Sequence, residues 1–135
     1  MKRDGPQLKV LLDEGAPHSA AEPFAQSGYK TIFHGDVLDN GASDEMVAIT
    51  AILNEAVLIA VDLDMKRLAR RFGAARDGGK FEKLDLIWIG CDPVMAAKRL
   101  SHSMSFIEHE WEVRCEKAAR RMWVSIENHR LTTYR

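Results

Sequence analysis

Val57-Leu58-Ile59-Ala60-Val61-Asp62-Leu63-Asp64 is the stretch on which the fold turns. Five apolar residues in a row, three of them β-branched, suit a strand buried on both faces, and the run stops abruptly at two aspartates. A strand buried on both faces belongs in a parallel sheet covered by helices. In such sheets the functional groove lies beyond the C-terminal ends of the strands, where Asp62 and Asp64 follow.

Working outward, Leu8 to Leu12 is a similar run ending in Asp13-Glu14-Gly15, and Tyr29 to Phe33 reads as another strand. Between them Pro17 to Ser27 predicts a helix with Gly28 just past its end, and Pro23 imposes a kink or two short pieces because it removes a backbone donor. After the turn-rich Asp39-Asn40-Gly41-Ala42, Ser43 is a natural N-cap for a helix with Met46, Ile49, Leu53 and Ala56 as its apolar face. A basic helix carrying Lys66, Arg67, Arg70 and Arg71 starts at Asp62-Leu63-Asp64 and ends near Gly73.

Leu84 to Ile89 supplies a further strand, and Asp92-Pro93 caps the next helix. Met104, Ile107, Trp111, Cys115, Ala118 and Met122 form the longest helical stripe, and Trp123 to Tyr134 reads as an extended pair around Asn128-His129. Alternation of strand and helix predicts one α/β domain over residues 1–135, three-layer α/β/α with a central mostly parallel sheet.

Composition agrees with a folded chain: 135 residues suffice for one core, with 46% hydrophobic and 29% charged residues. No apolar run approaches the roughly 20 residues of a membrane span. Gln7, Leu8 and Lys9 follow the basic start where a secretory signal would be apolar, so a cytoplasmic location is expected. Cys91 and Cys115 belong to no metal-ligand spacing and read as reduced packing residues. Residues 1–64 hold 11 acidic and 4 basic side chains and residues 65–135 hold 9 and 15, so formal charges of −7 and +6 lie behind a net charge of −1. Such polarity lets one surface hold cations and a neighbouring one a polyanion.

Asp13 and Asp62 each follow a strand, Asp44 opens a helix after a strand-to-helix loop, and Asp64 is two residues from Asp62, so all four point to one sheet edge. Gathered carboxylates resist full ionisation unless a cation neutralises them. Mg²⁺ or Mn²⁺ is the hard ion that accepts such oxygen ligands and assists phosphodiester hydrolysis. The competing reading is local: Asp44 and Glu45 suit a helix N-terminus by a few tenths to about 1 kcal/mol, and Asp62 or Asp64 can cap the helix that follows.

Val10-Leu11-Leu12-Asp13-Glu14, Gly41-Ala42-Ser43-Asp44-Glu45 and Val57 to Asp64 resemble, in the same order, the three motif blocks of a PIN-like family of toxin-antitoxin nucleases. The resemblance is strongest over residues 8–72; Trp88-Ile89-Gly90 and the tail Ile126 to Arg135 are similar to the family's later strands. It implies a PIN-like fold, an acidic pocket of Asp13, Asp44, Asp62 and Asp64 holding Mg²⁺ or Mn²⁺, and cleavage of RNA by the toxin half of a pair with an antitoxin protein. Ala60 stands where the family has threonine, and Met65 where it has an aromatic. An additional glutamate of the longer toxins has no clear match, with Asp36 and Asp39 as substitutes. A catalytically weak PIN-like protein that binds RNA or a protein partner is the alternative these departures imply.

The remaining residues divide between function and packing. Lys66, Arg67, Arg70 and Arg71 either hold RNA phosphates or form a solvated face. His102 and His109, seven apart, are compatible with one helix face but read better as surface or core histidines. Trp88, Trp111 and Trp123 read as core before base-stacking, and the Met104 to Met122 stripe as core before a homodimer surface. A phosphatase or nucleotide-binding α/β protein also suits acids at strand ends, but no glycine-rich phosphate loop is present.

Overall fold

The computed structural model describes residues 7–67, 83–116 and 121–134. Six strands form one sheet: β1 (Lys9–Leu12), β2 (Lys30–Phe33), β3 (Val57–Ala60), β4 (Leu86–Ile89), β5 (Trp123–Ile126) and β6 (Leu131–Thr133). Their order is β2-β1-β3-β4-β5-β6, with β1 to β5 parallel and β6 antiparallel to β5. From β1 the chain steps outward to β2 and then crosses back to lay β3 on the other side of β1. The direction of winding therefore reverses between β1 and β3, and in such sheets ligands bind beyond the C-terminal edge at that point.

Strand alternation sorts the core into two layers. Val10, Leu12, Val57, Ile59, Ile87, Ile89, Val124 and Ile126 share one face with Phe24 of α1 (Glu22–Gln26), Leu100 of α5 (Ala96–His102) and Ile107 and Trp111 of α6 (Met104–Glu116). Leu11, Leu58, Ala60, Leu86 and Trp123 share the other with α3 (Asp44–Leu53) and with Met65 of α4, whose described part is 63–67. Helices on both faces make the three-layer α/β/α architecture expected from the sequence. Among the described residues no helix is long and apolar enough to cross a membrane.

Local signals act as their chemistry demands. Pro23 divides its segment into a 3₁₀ turn, His18–Ala21, and α1, where it sits in the first turn and no donor is lost. Gly28, at φ 85°, ends α1: its amide donates to Ala25 and that of Tyr29 to Phe24, the paired bonds of a left-handed C-cap. The same pairing ends α3, with Glu55 at φ 54° where glycine is usual.

Three expectations need correction. The apolar face assigned to α3 is only half right: Ile49 and Ala56 pack against the core, but Met46 is 50% and Leu53 78% exposed, whereas Val47, Ala48 and Ala51 are buried. That helix is apolar nearly all round, so periodicity could not choose a face, and the sheet takes the small residues that allow close approach. Residues His34–Val37, read as leading into a turn, form a short helix, α2, because the Asp36 carboxylate accepts the Phe33 amide. The long stripe also does not run unbroken. α6 is described to Glu116, Ala118 lies outside the described residues, and Met122 is buried in the approach to β5. Ser103 separates α5 from α6, so His102 and His109 stand on different helices.

Candidate functional site

Each acid reaches the C-terminal edge on a separate element. Asp13 follows β1 directly, and its amide donates to the Ile59 carbonyl of β3 at 2.9 Å, which fixes the two strand ends side by side. Ser43, extended at φ −64° and ψ 155°, accepts the Met46 amide and starts α3 with Asp44 in its first turn. Asp62 leaves β3, and its carboxylate accepts the Asp64 amide at 2.8 Å, turning the chain into α4.

One carboxylate oxygen from each of Asp44, Asp62 and Asp64 lies within 4.8 Å of the other two. Asp62 and Asp64 are exposed and Asp44 half-buried. Asp13 stands beside this trio rather than within it, its carboxylate accepting the Glu14 amide at 2.8 Å. Electrostatics tie the four together. Burial and then repulsion by Asp62, Asp13 and Asp64 push the Asp44 carboxyl above its ordinary 3.8. Burial also raises Asp13, Asp62 adds to it, and the Glu14 amide and His34 pull it back.

Several contacts hold these acids in place. The Glu14 carboxylate accepts the Gly41 amide at 3.1 Å and so ties the end of β1 to the loop that launches α3; Gly41 has φ 76°, which favours glycine. The Trp88 indole N–H donates to the Asp62 carbonyl at 3.2 Å. The Lys66 ammonium lies 4.1 Å from the centre of the Trp88 ring. That ring fills the space beside Gly90, where a Cβ would clash with Trp88 Cζ3. Trp88 is thus half-buried and supports the Asp62 turn. Trp111 and Trp123 are buried, as core packing requires, and neither Cys91 nor Cys115 is in a disulfide.

The basic residues differ among themselves. Lys66 is engaged by the Trp88 ring, Arg67 is exposed and pairs with Asp64 at 3.6 Å, and Arg70 and Arg71 lie outside the described residues. Asp36, expected above as a stand-in for the family's additional glutamate, caps α2 through its bond to Phe33. Asp39 has its carbonyl bonded to the Ala42 amide, in the turn before α3.

Sequence reasoning passed over His34. It begins α2 at the end of β2, is 6% exposed, and its Nε2 has no hydrogen-bond partner among the described residues. With Asp13, Glu14, His18, Phe33, Asp36 and Asn40 it lines a cleft of about 490 Å³ beside the acids. Only its position after a strand, the same signal that marked Asp13 and Asp62, pointed to it. Comparison with models of protein families, with curated proteins and with solved structures returns no match for this chain.

Proposed function

We propose that this protein is a metal-dependent ribonuclease of PIN-like type, the toxin component of a toxin-antitoxin pair acting in the cytoplasm. The observation that carries the reading is the approach of Asp44, Asp62 and Asp64 to within 4.8 Å at the switch point of a parallel sheet. An all-oxygen, all-carboxylate donor set fits Mg²⁺ or Mn²⁺, and a divalent charge would offset the mutual repulsion that raises Asp44. Asp44, Asp62 and Asp64 would hold the ion, with Asp13 alongside. Bound there, it supplies Lewis-acid activation of a phosphate and of water.

The chain's own part is positional. Trp88 and the Asp64 amide fix Asp62, Ser43 and Glu14 fix the start of α3, and Lys66 and Arg67 flank the acids where RNA phosphates would pass. The ordered blocks that resemble the PIN-like nucleases support the same reading, and an antitoxin protein or a second copy is the partner it implies. A catalytically weak protein that binds RNA or a protein partner is the second reading. Fully buried Ala60 favours it by offering no hydroxyl, as does the Arg67 guanidinium already resting on Asp64.

Incubation with single-stranded RNA in Mn²⁺ separates the two. The nuclease reading expects cleavage abolished by chelator and by Asp13→Asn or Asp62→Asn; cleavage indifferent to all three defeats it. Binding that weakens steeply with salt, without cleavage, selects the second reading.

A further inference from the structure

The cleft beside the acids has a chemistry of its own. Its walls come from the ends of β1 and β2, and Asp13, whose amide bonds the Ile59 carbonyl at the end of β3, belongs to its lining, so the cleft adjoins the strand ends that carry the acids. On one side the His18 and Phe33 rings lie 4.9 Å apart, tilted by 54°. The lining is also rich in acceptors: the carboxylates of Asp13, Glu14 and Asp36, each accepting one backbone amide and keeping further acceptor capacity, with the Asn40 amide. Buried His34 adds a polar nitrogen without a partner among the described residues.

These features select a ligand class. Three carboxylates repel a phosphate, so the group that enters is uncharged or cationic. Aromatic rings favour a flat π-system, and unpaired bases are read by stacking on such rings while their edges are hydrogen-bonded. Carboxylate acceptors call for a donor edge, as when Asp or Glu accepts from the amino group of cytosine. Cytosine, adenine and guanine carry an exocyclic amino group. Uracil instead sets two carbonyl oxygens either side of its single N–H, and these would face the carboxylates. A volume of about 490 Å³ lies within the range of small-ligand sites.

We infer that this cleft is a base-reading pocket that takes an unpaired, amino-bearing nucleobase from the nucleotide next to the phosphate at the acids, and discriminates against uracil. The inference rests on the ribonuclease reading for its substrate class, but it concerns a different set of side chains. His18 and Phe33 supply the stacking surface; Asp36 and Asn40 supply the edge contacts.

The test uses nucleosides, which carry no phosphate, titrated into the full chain with chelator present and followed by NMR on the Phe33 ring protons. Cytidine, adenosine and guanosine should bind about tenfold more tightly than uridine. His18→Ala, at an exposed position, should weaken all the bound nucleosides by about fivefold. Asp36→Asn, which keeps an oxygen for the Phe33 amide, should erase the discrimination against uridine. Equal affinity for all four nucleosides, no binding, or binding indifferent to His18→Ala overturns the pocket even where RNA is cleaved. Selective nucleoside binding by a protein that cuts no RNA leaves the pocket standing and defeats the nuclease reading instead.

Discussion

Asp85 and Asp62 lie at opposite ends of neighbouring parallel strands, and their surroundings could hardly differ more. Asp85 stands just before β4, is 4% exposed, and accepts from both the Arg114 guanidinium, at 3.2 Å, and the Met122 amide, at 2.7 Å. Burial still pushes its carboxyl upward, while the Met122 amide and Arg114 pull it back. This carboxylate is a staple that joins α6, the entry to β4 and the entry to β5. Asp62, just beyond β3, is exposed and faces Asp44 and Asp64. One edge of the sheet satisfies its carboxylate internally; the other collects carboxylates against one another. Repulsion of that kind, only partly offset by Arg67 at Asp64, is why the Asp62 edge is the candidate site and the Asp85 edge is not.

The largest effect that can break this contrast is on stability. Asp85→Ala should lower the unfolding free energy by about 3 kcal/mol, because Arg114 and the Met122 amide lose their buried partner. Asp62→Asn, at an exposed position, should change it by less than about 0.5 kcal/mol. Urea denaturation of both variants measures the difference, and equal losses would erase the distinction between the two edges.

A smaller effect sharpens the same contrast from the ligand side. Mn²⁺ at about a hundred times its dissociation constant should stabilise the wild type by about 2.7 kcal/mol. Thermal melts should show that gain lost in Asp62→Asn and Asp64→Asn and kept in Glu22→Gln, an acid on α1 away from the cluster. Stabilisation that survives both aspartate substitutions would place the ion elsewhere.

The smallest expected effect is on pH dependence without metal. Asp44 and Asp13 have folded-state carboxyls raised above 3.8, so the folded chain holds these protons more tightly than the unfolded chain. Their contribution therefore favours folding at low pH and is lost as pH rises from 3.8 through the raised values. Asp44→Asn should be more stable than wild type at neutral pH, and the two should converge as pH falls towards 3.8. A constant gap in denaturation midpoints across that window would show that Asp44 carries no such repulsion.

Much of the architecture was legible in the chain because its signals are local. Val57 to Val61 is apolar throughout and β-branched at three of five positions, and Leu8 to Leu12 and Leu84 to Ile89 are short, mostly apolar runs bounded by turn residues, which favours strands. Gly28 and Pro23 act through backbone constraints that need no partner. The inward face of α3 was not legible, since that face is decided by the space between helix and sheet. Nor was the staple at Asp85, whose partners are 29 and 37 residues away.

The candidate site divides the same way. From the sequence alone, Asp13 and Asp62 had to emerge at the ends of strands and Asp44 at the start of a helix, because apolar runs and a serine cap dictate those positions. Which of them approach one another was decided by strand order: only when β3 lies against β1, with the Asp13 amide bonded to Ile59, do separate chain segments share one edge. The tertiary structure also set Asp13 beside the trio and brought His18, Phe33 and His34 around the adjoining cleft. Distances between side chains that are remote in sequence follow from how the sheet is wound, and residue spacing does not encode that winding.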